Sequence, residues 1–93
     1  MELTLEEGLV MASYVKSSTY RYKVLECLHT HKVSTPTMIS EDTGILVNHM
    51  SNILKQLKEN GYVECINEES RKGRLYRLTS LGELVVSNYL PLL

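Results

Sequence analysis

Tryptophan and phenylalanine are absent from this chain of 93 residues, and its six aromatic side chains are all tyrosine. Cysteine occurs only at Cys27 and Cys65, too seldom for a disulfide-built scaffold, and nothing else in the sequence suggests secretion. Long apolar runs are missing. No stretch approaches the roughly 18 residues of a membrane-spanning helix, and the start Met1-Glu2-Leu3-Thr4-Leu5-Glu6-Glu7 lacks the basic opening of a signal peptide. No membrane association is expected, and the expected compartment is the cytoplasm. Internal repeats, low-complexity tracts and linkers are missing too, and the length suits one domain. With 43% hydrophobic and 23% charged residues the composition is that of an ordinary globular chain, which sets aside disorder and a collagen-like repeat.

Marks of catalysis are equally scarce. There is no glycine-rich loop to cradle phosphate, no pair of carboxylates in a predicted cleft, and no Ser, His and Asp in a recognisable arrangement. A chain this short has little room for a deep pocket. We expect neither an enzyme nor a bound cofactor.

Excess charge of one sign is also lacking, since the formal net charge is −1 and the sequence pI about 6.3. Taken as a sum this argues weakly against nucleic acid. The placement argues otherwise: Glu2, Glu6 and Glu7 fall in the first twelve residues without a base, leaving ten bases against eight acids in the remainder. Arg71, Lys72, Arg74 and Arg77 crowd into one short segment. Phosphate responds to the local field of a face rather than to the whole-chain sum.

The apolar pattern lays out the elements. Leu5, Leu9, Val10, Ala12, Tyr14 and Val15 recur at helical spacing and predict a short helix over 5–15, with Ser17-Ser18 as the break. Ser18 then caps a helix expected over Thr19 to Thr30, its core face marked by Val24, Leu25 and Leu28. His31 to Ser34 is a connector with some strand character. Thr35-Pro36 reads as a cap followed by proline in the first turn, where the missing amide costs nothing, and Gly44 is the natural left-handed stop. Ile45 folds back toward Ile39, completing a tight helix-turn-helix connection. A third core helix carries Met50, Ile53, Leu54 and Leu57 on one stripe and ends at Gly61. Tyr62 to Ile66 and Leu75 to Leu78 read as strands of a hairpin whose charged tip includes Gly73. Thr79 or Ser80 opens a last helix with Leu81, Leu84, Val85 and Tyr89 at helical spacing, stopped by Pro91. The expected class is α+β, mostly α: a three-helix core with a β-hairpin wing and terminal helices.

In this order, Ser18-x-x-Arg21-x-x-Val24-Leu25-x-x-Leu28, Pro36-x-x-Ile39, Thr43-Gly44-Ile45, Met50-Ser51-x-x-Leu54-x-x-Leu57-x-x-x-Gly61-Tyr62-Val63, Arg71-Lys72-Gly73-Arg74-Leu75-Tyr76-Arg77-Leu78-Thr79 and Leu81-Gly82 carry a resemblance. The set resembles the winged helix-turn-helix family of archaeal and bacterial transcription regulators, in particular its MarR-like and ArsR-like branches. The resemblance implies that the helix around Asn48 to Asn60 enters the major groove of DNA while the hairpin tip touches an adjacent minor groove or phosphates. Two features depart from the family pattern. Leu46 and Val47 occupy the place of a small capping residue, which shifts the expected cap to Asn48, and Glu59 and Glu68-Glu69 put acid where a strong DNA binder is more often neutral or basic.

The residues support a DNA reading without the family. With the stripe of Met50, Ile53, Leu54 and Leu57 facing inward, Asn48, His49, Ser51, Asn52, Lys55 and Gln56 face out, and Asn and Gln have the bidentate geometry that reads adenine. Lys55 and Lys58 attract phosphate. Arg71, Lys72 and Arg74 surround Gly73 at the wing tip, suited to a narrow groove and to phosphate, while Arg77 can pair with Glu64 across the hairpin. Lys16, Arg21 and Lys23 form a second basic cluster that either meets phosphate or is merely solvated. Cys27 and His31 stand four apart on one helix, a spacing that can present two metal ligands, but no third ligand is evident in that segment. Cys27 and Cys65 are read as small core fillers and no metal site is expected.

The apolar ends, Leu3, Leu5, Leu9, Val10 and Met11 at the front and Leu84, Val85, Val86, Tyr89, Leu90, Leu92 and Leu93 at the back, exceed what a small core covers. The expected division is a dimerising N-terminal arm over 1–17, a DNA-binding winged-helix core over 18–79, and a dimerising C-terminal helix over 80–93. The reading is a cytoplasmic homodimeric regulator of transcription that binds double-stranded DNA sequence-specifically. The rival is a winged-helix module that docks protein or RNA in a larger assembly.

Overall fold

Thr4 opens the first helix reciprocally: its hydroxyl accepts from the Glu7 amide at 3.1 Å while the Glu7 carboxylate accepts from the Thr4 amide at 2.9 Å. This capping box satisfies two otherwise orphaned donors and starts α1 (Leu5–Lys16). The same logic recurs at Ser18 for α2 (Thr19–His31) and at Thr35 for α3 (Pro36–Thr43), each cap hydroxyl accepting from the amide three residues on. Gly44, at φ +78°, ends α3 in the left-handed conformation. Helix α4 (Val47–Glu59) follows, then strands β1 (Val63–Cys65) and β2 (Tyr76–Leu78) and helix α5 (Ser80–Leu84). The computed structural model describes residues 2–93; Met1, the first residue of the expected N-terminal arm, lies outside the described residues.

The strands pair antiparallel with Val63 opposite Leu78, Glu64 opposite Arg77 and Cys65 opposite Tyr76. The connector after α2 contributes a bridge as expected: the Ser34 amide donates to the Tyr76 carbonyl at 3.1 Å and the Tyr76 amide donates back at 2.9 Å. Between α2 and this bridge the chain makes an uncommon turn. Lys32 sits at φ +69°, ψ −55°, with the Val33 amide donating to the His31 carbonyl at 2.8 Å. This is a γ-turn of the rarer, strained hand.

Two expectations are corrected. Helix α4 starts at Val47, not late with Asn48 as its cap; Leu46 occupies the N-cap and offers no side-chain acceptor. The backbone turns because Gly44 and Ile45 set its direction, and the His49 amide bonds the Leu46 carbonyl at 3.0 Å. At the C-terminus, Pro91 does not end a continuous α-helix. Helix α5 widens at Val85–Tyr89 into a π-helical turn and then tightens into a 3-10 turn over Leu90–Leu92 that contains Pro91. Proline lacks the amide that α-geometry requires and its ring crowds the carbonyl four residues back, so the preceding turns change register.

One core unites the elements. Val15, Val24, Leu25, Leu28, Ile39, Met50, Leu54, Leu57, Val63 and Val85 are fully or almost fully buried. Helix α1 lies against the C-terminal turns, where Gly8 meets the Tyr89 ring and the Tyr89 hydroxyl donates to the Leu3 carbonyl at 3.3 Å. Val85, Val86 and Leu90, expected in an interface, are therefore covered by this chain's own core. Gly82 presses on the backbone of Tyr62, and Thr79 locks this corner by donating its hydroxyl to the Gly61 carbonyl and accepting from the Gly82 amide. Among the described residues no helix is long and apolar enough to cross a membrane.

Candidate nucleic-acid interface

Helix α4 buries Met50, Ile53, Leu54 and Leu57 and leaves Asn48, His49, Ser51, Asn52 and Lys55 exposed, with Gln56 half-buried at the edge. Asn48, Asn52 and Lys55 follow one another along a single line at helical spacing. His49 leans on Tyr20 of α2, their ring centroids 6.0 Å apart. Leu46 and Val47 are more than half exposed at the opening of the helix. Their apolar side chains were not expected among the site residues. The signal was present: two large apolar residues directly after the turn, at positions the inward stripe does not use.

The hairpin tip is knitted by Asn67. Its side-chain oxygen accepts from the Leu75 amide at 2.7 Å and lies 3.5 Å from the Cys65 thiol, while its amide nitrogen donates to the Gly73 carbonyl at 3.2 Å. Arg74 turns back into the loop, donating from Nε to the Ser70 carbonyl at 2.8 Å and from Nη2 to the Glu68 carbonyl at 3.2 Å. Arg71 and Lys72 stay exposed, and among the described residues neither forms an ion pair. The tip thus separates its basic residues into a brace, Arg74, and two outward charges.

Several other bases are already engaged. Lys58 pairs with Glu68, which ties the last turn of α4 to the acidic flank of the wing. Arg77 donates to Glu64 at 2.8 Å across the hairpin, as its register predicts. Arg21 is absorbed into the α1–α2 junction: its guanidinium donates to the Tyr14 carbonyl at 3.1 and 2.7 Å and to the Ser17 hydroxyl at 2.8 Å, and lies 4.0 Å from the Tyr14 ring centroid. Lys16 sits 5.7 Å from the Tyr22 ring centroid. Among the described residues Lys55, Arg71 and Lys72 remain as the uncommitted cations of α4 and the wing.

No protein-family model matches the chain, and no curated protein matches it significantly in sequence. Among solved structures the fold is similar to a mutant MarR from E. coli complexed with operator DNA, with a TM-score of 0.67 and 20% identity over 86% of this chain and 61% of that one. It is similar also to the reduced form of MarR from E. coli, with a TM-score of 0.62 and 19% identity over 98% of this chain and 82% of that one. The chain thus spans 61% of the operator-bound MarR chain. At these identities the likeness establishes a MarR-like winged-helix fold.

Proposed function

We propose that this protein binds double-stranded DNA as a dimeric, non-enzymatic, cytoplasmic regulator of transcription, with α4 in the major groove and the wing on the minor groove or phosphates. The observation that carries this reading is the outward line of Asn48, Asn52 and Lys55 on the helix that follows the Gly44-Ile45 turn, flanked by a tip presenting Arg71 and Lys72. Asn52 and Gln56 supply base-edge hydrogen bonds, and Leu46 and Val47 suit thymine methyl groups. The operator-bound state of the similar MarR structure supports the same reading.

Selecting bound duplexes from a random library, followed by gel shifts at two salt concentrations, tests it. Asn52→Ala with Gln56→Ala is expected to lower preference for the selected site at least tenfold, because a bidentate base contact is worth about 1–3 kcal/mol, while non-specific binding persists. Failure of the parent protein to bind any duplex would favour the protein- or RNA-docking module instead.

The dimer reading rests on what the core leaves uncovered. Leu5, Val10, Leu92 and Leu93 remain about half exposed or more, and Leu5, Leu9 and Val10 line an apolar groove of about 440 Å³ along α1. A second copy covering these ends would place two α4 helices about one DNA turn, roughly 34 Å, apart. Light scattering should give twice the 10.6 kDa chain mass for the parent and the single mass for Val10→Glu. A parent of single-chain mass at micromolar concentration rejects the terminal-helix dimer.

A further inference from the structure

Cys27 and His31 lie four residues apart on α2, and the fold adds to them a partner from the next helix. Asp42, on the last turn of α3, brings a carboxylate oxygen to 3.4 Å from His31 Nε2. The Cys27 sulfur, an imidazole nitrogen of His31 and an Asp42 oxygen all lie within 4.8 Å of one another. They stand at a cavity of about 490 Å³ between α2 and α3, also lined by Tyr22, Glu26 and Thr43. We propose that Cys27, His31 and Asp42 form a binding site for a zinc-class divalent cation, which clamps α3 onto α2.

Donor chemistry and spacing select this class. One thiolate, one imidazole and one carboxylate make a borderline-soft set suited to Zn²⁺ or Co²⁺ rather than to Mg²⁺ or Ca²⁺, which take oxygen ligands. At ordinary zinc bond lengths of about 2.0 Å to nitrogen and oxygen, two tetrahedral ligands stand roughly 3.3 Å apart. The His31–Asp42 separation of 3.4 Å already matches that edge, and the sulfur lies within 4.8 Å of both. Three protein ligands leave a fourth position open toward the cavity for water. Once the thiol has given up its proton to the incoming ion, one thiolate and the Asp42 carboxylate balance the ion's two positive charges.

Burial first, then the hydrogen bond and negative charge of Asp42, push the Cys27 thiol up to about 12. Without a cation the sulfur therefore keeps its proton. Metal binding breaks the S–H bond, forms the S–metal bond and releases that proton to solvent. The site is distinct from the outward face of α4 and its test does not depend on DNA binding.

The experiment titrates tag-free, reduced full-length protein with Co²⁺, and then displaces it with Zn²⁺. One equivalent of Co²⁺ should produce thiolate-to-cobalt charge-transfer absorption with tetrahedral ligand-field bands, and Zn²⁺ should erase both and raise the melting temperature. Cys27→Ser should abolish the charge-transfer band while Cys65→Ser retains it. Because Cys27 is buried and its replacement can disturb folding, Asp42→Asn and His31→Gln, at exposed side chains, provide the second arm. Each should weaken Co²⁺ binding by roughly 100-fold or more with the far-ultraviolet spectrum unchanged. Absence of a saturable thiolate band in the parent, or parent-like affinity in Asp42→Asn and His31→Gln, overturns the site.

Discussion

Gly82→Ala is expected to destabilise the protein by about 3 kcal/mol or more and to lower its melting temperature by more than about 10 °C, read by thermal and urea denaturation. A Cβ at this position would lie 2.1 Å from the Tyr62 carbonyl oxygen, 3.0 Å from its carbonyl carbon and 3.4 Å from Leu78 Cδ2. The obstruction is backbone, so no side-chain rotation relieves it; α5 must move off the start of β1. That motion strains the Thr79 bonds to Gly61 and Gly82 and opens a core to which Tyr62 and Val63 contribute. Small domains hold about 5–15 kcal/mol in total, so this loss is a large fraction. Gly8→Ala is the informative contrast. Its Cβ would lie 2.2 Å from Tyr89 Cε1, closer than any contact tolerates, but the obstruction is a ring that can swing outward and give up its bond to the Leu3 carbonyl. A loss of about 1–2 kcal/mol is expected there. Equal stability of Gly82→Ala and the parent would show that α5 does not approach Tyr62 as described.

What could be read from the sequence was local. Thr35-Pro36 and Gly44 bound α3 because capping, a proline in the first turn and a left-handed stop each act within a few residues of chain. The inward stripe of α4 follows from periodicity alone. The start of α4 was misplaced because a local rule, the need for a capping side chain, yielded to the direction imposed by the preceding turn. The candidate site was legible as a face but not as a set of free groups. The charges of Arg21, Lys58 and Arg74 are visible in the sequence, whereas their acceptors, the Tyr14 carbonyl, the Glu68 carboxylate and the wing carbonyls, become neighbours only after packing or loop closure. The Asp42 ligand was hidden for the same reason: ten residues, the strained turn at Lys32 among them, separate it from His31, and only the α2–α3 contact brings them together.

Under the DNA-binding reading, that distinction between braced and free cations gives the wing a measurable signature. Replacing Arg71 and Lys72 together with Ala should reduce the slope of log affinity against log salt by about 1.8 per protomer, and so by about 3.6 for a bound dimer, since each lost phosphate contact removes about 0.9, and should weaken binding across all sequences. At low salt the loss is expected to reach roughly 10- to 100-fold, because released counterions contribute most there. Arg74→Ala should behave differently. Its guanidinium holds the Ser70 and Glu68 carbonyls, so its removal loosens the tip and raises protease cleavage within 67–74 while changing the salt slope by much less than the double replacement. Glu68→Ala should move the other way and tighten binding: it removes a charge that phosphate repels and releases Lys58 from an exposed ion pair worth less than about 1 kcal/mol. A protein whose net charge is only −1 can thus show steep salt dependence, because three uncommitted cations on α4 and the wing set the field at the groove. If the double replacement left the slope at the parent value, phosphate would not be met at the tip, and the wing would have to be assigned to shape or protein contacts instead.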